Sequence, residues 1–414
     1  MKKILLIYFG KIHWLFLFIL LTGGFPCLAQ IDSAWSRTSQ DTSQNKVVQD
    51  AIYNRPFIQL GRTSTAVGGY LEGNTNYFVT DGISEGFSME LRRFNIFLYS
   101  TIARRIKFLS ELEFEHGTEE ISLETAQLDF EVNPAFNIRM GILVVPIGAF
   151  NQNHDSPKWE FVERPLVTTN IIPSTLSEIG FGFHGKIYSP QKVFTYDVYL
   201  VNGLQDGLLL NSEGRTFLPA GKDPGMFGED NNGRPMLSTK LAFRHRKLGE
   251  LGLSYYGGIY NTYKIDGVPV TSKKNLALYA VDFNTTMGRA VINGEFALVR
   301  LELPSALGPA FGNRQAGGYL EMVYTVLQKT ALDYPKTALN ANLRIEAVDY
   351  NIGRFDETGT RIHDDIRAIV PGISIRPSAN TVIRANYRYH WTCDLLGNPP
   401  AKTGGFQVGF ASYF

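Results

Sequence analysis

A chain of 414 residues with 40 lysines and arginines against 39 aspartates and glutamates is nearly neutral, which argues against a nucleic-acid-binding surface. Hydrophobic residues make up 44% of it, yet the mean hydropathy is only −0.09, and beyond the N-terminus no run approaches the roughly 18 apolar residues of a membrane helix. With two cysteines, one of them inside the N-terminal apolar region, disulfide-stapled and Cys-rich zinc folds are excluded.

Lys2 and Lys3 precede the apolar runs Ile4 to Phe9 and Trp14 to Leu21, with small residues at Gly23-Gly24 and a cleavage position after Ala29. Residues 1–29 therefore read as an export signal. A membrane anchor is the weaker reading, because Lys11 and His13 interrupt the run short of the roughly 20 residues a span needs. Cleavage removes three lysines and no acid, so the charge of the remaining chain moves from +1 to about −2 (1 − 3). Residues 30–56 are rich in Ser, Gln, Asp and Asn and read as a poorly ordered periplasmic segment.

From residue 57 onward the pattern has period two. Phe108, Leu112 and Phe114 fall on one face of an extended chain, with Lys107, Glu111, Glu113 and Glu115 on the other. Leu128 and Phe130 likewise alternate with Gln127, Asp129 and Glu131, and Ile383, Ala385 and Tyr387 with Arg384, Asn386 and Arg388. Sixteen strands are predicted, at about 66–78, 86–102, 106–116, 121–132, 136–151, 177–188, 194–204, 235–245, 249–261, 275–286, 290–302, 315–327, 338–350, 362–377, 380–392 and 404–414. Many reach the roughly 9 to 11 residues that a tilted strand needs to cross a bilayer.

The connections alternate in length. Tight turns such as 103–105, 133–135, 246–248 and 378–379 interleave with long loops near 153–176, 205–234, 262–274, 303–314, 351–361 and 393–403, and 328–337 is the one long connection on the short side. Both termini lie on the short side, the topology of an outer-membrane barrel. The chain stops in mid-alternation on Phe414, as a membrane strand does. The expected fold is therefore all-β, a 16-stranded antiparallel transmembrane β-barrel over residues 57–414; one misplaced hairpin would make it 14 or 18 strands.

The loop 153–176 carries its own anchors, Trp159, Phe161 and Val162, together with Glu163 and Arg164. It is expected to fold inward and narrow a water-filled lumen. Arg93 and Arg139 are the wall cations expected to face it. Lumen charge is expected from Arg344, Arg384 and Arg388 opposite Glu111, Glu113 and Asp129, with Lys240, Arg244, Arg367 and Arg376 as further cations. Such cations can either line a path for anions or be halves of wall-spanning acid–base pairs that stiffen the barrel, and the sequence leaves both open.

Several stretches join in a resemblance: Glu90-Leu91-Arg92-Arg93-Phe94-Asn95-Ile96 leading into Phe108 to Glu115, then Gly141 to Phe150, Phe161 to Pro165, Glu178 to Gly185, and Asp197 to Gly203. Over roughly residues 60–210 the chain resembles the phosphate-selective porin O/P family in its Bacteroidetes-type form. That resemblance implies a 16-stranded, usually trimeric channel conducting small anions such as phosphate. The acidic face of strands 3 and 4 departs from the cationic file such selection needs.

Catalytic and metal motifs fail on geometry. Gly180 to Gly185 matches G-x-G-x-x-G but runs into Lys186-Ile187-Tyr188 and a Ser-Pro turn rather than a helix. His154-Asp155-Ser156 are adjacent and cannot converge as a triad. His363-Asp364-Asp365 point to alternate faces of an extended chain, and Asp230 to Gly233 lacks calcium-loop spacing. The reading is an outer-membrane porin, without cofactor, metal or enzymatic activity, for passive diffusion of small hydrophilic solutes or inorganic anions. It is expected to contact outer-membrane lipid and lipopolysaccharide, to form a homotrimer and to bind no nucleic acid. The alternative is a plugged structural barrel serving as an adhesin or envelope-assembly partner.

Overall fold

The computed structural model describes residues 47–59, 64–222, 224–331 and 334–414. The expected export signal and residues 30–46 lie outside them. Sixteen long strands form one closed antiparallel barrel: β1 (Thr65–Thr80), β2 (Ile83–Ala103), β3 (Ile106–Glu115), β4 (Glu120–Asn133), β5 (Phe136–Val144), β6 (Ser177–Ser189), β7 (Lys192–Val201), β8 (Met236–His245), β9 (Gly249–Ile259), β10 (Asn275–Met287), β11 (Ala290–Leu301), β12 (Arg314–Ala331), β13 (Tyr334–Asp349), β14 (Asp365–Ser378), β15 (Thr381–Thr392) and β16 (Ala401–Tyr413). Each pairs with its sequence neighbours. The seam closes where β16 runs antiparallel to β1 from Thr403↔Thr80 to Tyr413↔Tyr70, so none of the sixteen is left with an unpaired edge.

The alternation places apolar side chains outward. Phe181, Phe243, Leu253, Phe296, Ile373 and Phe410 are all exposed on the outer wall, a belt that lipid covers. No described helix is long and apolar enough to cross a membrane, and the strands do the crossing.

Three expectations change in detail. The connection expected at 328–337 is tight, with Ala331 paired to Tyr334, so the one long connection on the short side disappears, and long loops alternate with turns from β5 onward. The first hairpin is tight as well, turning through Asp81 and Gly82 with φ of 48° and 87°, the paired left-handed conformation whose twist matches the flanking strands. The strand predicted to reach residue 151 ends at Val144, because Pro146 has no N–H for the ladder and Gly148 turns the chain at φ 67°.

Inside, the barrel is divided. On one side the loop-end halves of the lumen faces of β7 and β9–β11 are apolar: Tyr199, Tyr256, Leu278 and Val299 pack with Ile171, Ile172, Leu208 and Leu218 from the loops into one dry cluster, while nearer the short turns the same strands turn Asp197, Glu250, Asp282 and Glu295 inward. Across β1–β5 and β13–β16 the inward residues are mostly charged or polar, including Glu72, Asn95, Glu111, Asp129, Arg344 and Arg384.

Candidate functional site

Two segments occupy the interior. The first is the loop 145–176. Asn151 ties its ends together, donating to the carbonyls of Val145 (2.7 Å) and Leu176 (3.0 Å) and accepting from the Leu176 N–H (2.8 Å). From there the loop is suspended on the wall. Glu295 of β11 accepts the N–H groups of Ala149 (2.9 Å) and Phe150 (3.0 Å), and Lys240 of β8 donates to the Gly148 carbonyl at 2.6 Å.

Across the lumen, Arg384 of β15 donates to the carbonyls of Ser156 and Trp159, both at 3.1 Å, and its guanidinium lies over the Trp159 ring. Arg376 of β14 pairs with Glu160. Arg344 of β13 donates to the Glu163 carbonyl at 2.8 Å and stacks on Phe161, and a short helix, Leu166–Asn170, begins where the Leu166 N–H meets Glu346 at 2.7 Å. The loop is thus anchored on opposite walls, and its backbone polar groups are satisfied by charged side chains rather than by sheet.

The second segment was not expected there. Residues 47–57, read as part of a poorly ordered periplasmic stretch, form a bar across the short-turn end of the lumen. Val48 donates to Glu250 of β9, Gln49 to Asp197 of β7 (3.0 Å), and Asp50 pairs with Lys186 of β6. Tyr53 accepts from Gln127 of β4 at 2.7 Å, Phe57 packs on Phe97 and Tyr99 of β2, and Ile58–Gln59 pairs with Val67 and Ala66 of β1. The Ser-, Gln- and Asp-rich composition that suggested solvation belongs to the residues before it, whereas the bar itself carries Val47, Val48, Ala51, Ile52, Tyr53 and Phe57.

Bar and loop interlock at Arg55. Its buried guanidinium reaches Asp155 of the loop at 2.6 Å and Glu111 of β3 at 2.8 Å, and lies 4.0 Å above the Phe97 ring. Tyr413 donates to Asp155 at 2.6 Å, and Lys158 bridges Asp155 (2.9 Å) and the Ala51 carbonyl (2.8 Å). Burial alone would raise the Asp155 carboxyl, but Arg55 and Lys158 beside it hold it well below the usual carboxylate range. Ligand atoms of Glu111, His154 and Asp155 lie within 4.8 Å of one another, as a divalent cation would require, but the Arg55 guanidinium already supplies the positive charge to both carboxylates.

The residues singled out from the sequence are distributed over this assembly. Trp159 is buried between Phe150 and Arg384, and Glu163 at the loop's edge accepts from Arg92 (2.7 Å) and Gln407 (3.2 Å). Arg164 donates to the Ser174 carbonyl at 3.0 Å, while its buried Nε and one Nη have no partner. Arg93 binds Glu72, Glu113 and Glu115; Arg344 binds Glu321; Arg384 binds Glu72; Arg388 binds Glu346. Arg139 pairs with Asp129 at 2.7 Å beside Tyr53, at the level of the bar rather than of the loop.

Arg367, taken from the sequence as a lumen cation, points outward: it is 62% exposed and paired with Asp365, because β14 turns Ala368, Val370 and Ser374 inward. Arg92 was missed. A bulge between Glu72/Gly73 and Arg93/Leu91 shifts the register by one residue, so that Arg93 faces Glu72 inside while Arg92 reaches the loop's Glu163. The doubled arginine is the one hint in the sequence.

The Gly180–Gly185 stretch lies wholly within β6, with no helix following. Ser156 accepts from Arg384, and Asp364 pairs with Arg215 at 3.3 Å.

No family profile matches the chain. A protein of Aquifex aeolicus (strain VF5) described as uncharacterized is 29% identical over 290 residues, and the match covers 64% of this chain and 63% of that relative's length. Among solved structures, the anion-selective porin from Comamonas acidovorans aligns with a TM-score of 0.54 at 12% identity, over 85% of this chain and all of that one. The outer-membrane channel DcaP of Acinetobacter baumannii gives 0.52 at 11% identity over 85% and 99% of the two chains. The trimer form of OmpT from Vibrio cholerae gives 0.50 at 11% identity over 85% and 100%. At these identities the likeness establishes the outer-membrane barrel fold.

Proposed function

We propose that this chain is an outer-membrane porin, a passive diffusion channel for small hydrophilic solutes, catalysing no reaction. The observation that carries the reading is the polar side of the lumen. Beside the suspended loop, Glu90, Arg92, Glu115, Glu163 and His116 retain solvent exposure and can line a narrow wet path, while the opposite side is packed dry. A channel narrowed by an inward loop and edged by charged side chains passes ions and small polar molecules and rejects apolar ones.

Selectivity for anions such as phosphate is the finer part of the proposal. Arg93, Arg139, Arg344, Arg384 and Arg388 are each bound to a carboxylate and offer little to a passing anion. Arg164 differs in that its guanidinium bonds a backbone carbonyl rather than a carboxylate, and it is the residue we assign to any anion preference. The trimer belongs to the same proposal, and cross-linking the folded protein before denaturation reads it directly.

Single-channel recording of the refolded mature chain in a planar bilayer under a salt gradient tests the reading. Stable steps are expected, and Arg164→Gln moves the reversal potential toward cations if the anion assignment holds. Absence of steps from a demonstrably folded barrel would leave a structural barrel, the reading that the loop-and-bar filling would then favour.

A further inference from the structure

The sheet closes at β16–β1 without help from residues 47–57. They nevertheless cross the lumen from β9, where Val48 meets Glu250, to β1 and β2, where Phe57 and Ile58 dock. In the ring of sixteen strands its contacts fall in order on β9, β7, β6, β4, β2 and β1, so the bar follows the half of the wall away from the loop's anchors on β13–β15. A segment placed there occupies the lumen on the side that the loop's anchors on β13–β15 leave.

We propose that this bar is a built-in closing element of the channel and that the structure is its closed arrangement. The inference rests on the channel reading above. Opening consists of withdrawing residues 47–57 from the short-turn end while the sixteen strands stay paired.

The way the bar is fastened supports reversible release. Ile52 enters a small apolar cluster with Leu109 and Val144, and Phe57 rests on two aromatic rings. The other contacts are ionic or hydrogen-bonded: Asp50 with Lys186, Gln49 with Asp197, Tyr53 with Gln127, and Arg55 with Asp155 and Glu111. In a lumen that hydrates on opening, water and counter-ions can take over every one of these, whereas the dry cluster on the opposite side has no such exchange partner.

Arg55 and Lys158 also link the bar to the loop, through Asp155 and the Ala51 carbonyl. Withdrawal therefore removes a support from beneath the loop as well as an obstacle from the mouth. Closure and narrowing become one cooperative state.

The experiment joins the bar to the wall and asks whether current stops. In the full mature chain carrying Cys393→Ser, Asp50→Cys and Lys186→Cys are bridged with a short bis-methanethiosulfonate linker, which spans the gap once filled by the lysine–aspartate pair and is cleaved by a reducing agent. A companion variant deletes residues 47–57. Loss of most of the open-state current in the bridged protein, its return on reduction, and a lasting high-conductance state in the deletion variant are the expected results.

Equal currents from bridged, reduced and deleted forms would overturn the closing role and leave the channel standing. No current from any form, the folded deletion variant included, would overturn the channel reading and the closing role with it. Heat-modifiable migration on gels shows in each case that the barrel has folded.

Discussion

Replacing Arg384 by Met should loosen the loop without opening the barrel. The guanidinium is fully buried, and it donates to Glu72 at 2.7 Å, to the Ser156 hydroxyl at 2.5 Å and to the Ser156 and Trp159 carbonyls at 3.1 Å. Methionine retains much of the apolar stem and removes all four bonds. Truncating one member of a buried ion pair costs about 3–5 kcal/mol, and the low end applies because Glu72 keeps Arg93 at 3.0 Å. A loss of about 3 kcal/mol, concentrated on the loop, raises its local opening equilibrium by roughly two orders of magnitude, at about 1.4 kcal/mol per tenfold. The backbone ladder of β15 is untouched by the change.

Hydrogen exchange on the refolded protein reads this directly. Protection of the Lys158 and Trp159 amides, which donate to the Asp155 and Ser156 carbonyls, should fall by about that factor while β15 amides stay protected. Fluorescence gives an independent measure: in a protein expressed from residue 30 onward with Trp35→Phe and Trp391→Phe, Trp159 is the sole tryptophan, and its emission should shift red and become quenchable. Arg367→Met on the outer wall serves as the control, since an exposed pair contributes about 0–1 kcal/mol. Unchanged protection at residues 156–162 would refute the reasoning and show that Phe161 and Val162 hold the loop by packing alone.

Two further outcomes follow from the same contacts. At Gly148, φ is 67° and an added Cβ would lie 2.3 Å from the Glu295 carboxylate, so Gly148→Ala combines a left-handed residue with displacement of the group that accepts the Ala149 and Phe150 N–H groups. A loss of about 2 kcal/mol in urea unfolding and an altered conductance are expected, and a silent substitution would show that the loop's start is not set at this residue. The Asp155 carboxyl is held below its unfolded value of about 3.9, so its contribution is present above that pH and is lost as pH falls through the lower folded value. Protection of the bar from protease should therefore be flat from pH 8 to about 5 and fail only below about 4; a transition centred near pH 6 would assign the latch to another group.

Much of the barrel was legible because a strand between lipid and water writes its structure as strict alternation, and all sixteen strands appear within a few residues of their expected places except at the end of β5, which stops seven residues early. The loop was legible through length and its aromatic anchors. Legibility failed wherever a single residue shifted the register: Arg92 and Arg93 both serve the interior through a bulge, and Arg367 turns outward because β14 sets its inward face on even positions. It failed too where partners meet only through closure, as with Arg384 and Glu72, which lie 312 residues apart, or Arg55 and Asp155, 100 apart. The bar was illegible for a different reason. Its short apolar run, Val47, Val48, Ala51, Ile52, Tyr53 and Phe57, has no clear period and was merged with the Ser-, Gln- and Asp-rich chain before it.

The division of the interior bears on whether such a barrel conducts. Buried ion pairs stabilise a fold weakly, and well-packed apolar residues of similar volume commonly do as well or better. In the loop-end half of β9–β11 the interior is filled in that apolar way, through Tyr256, Leu278, Val299 and the loop residues packed on them. A barrel built only to be plugged would gain by continuing the same filling around the ring. Across β1–β5 and β13–β16 it instead keeps arginines and carboxylates in matched pairs, and the inserted segments are fastened through charged groups both there and, nearer the short turns, on β6–β9 and β11. Charged surfaces that can rehydrate belong to a face that is sometimes wet, so the polar side is where conduction and its closure by residues 47–57 should both be found.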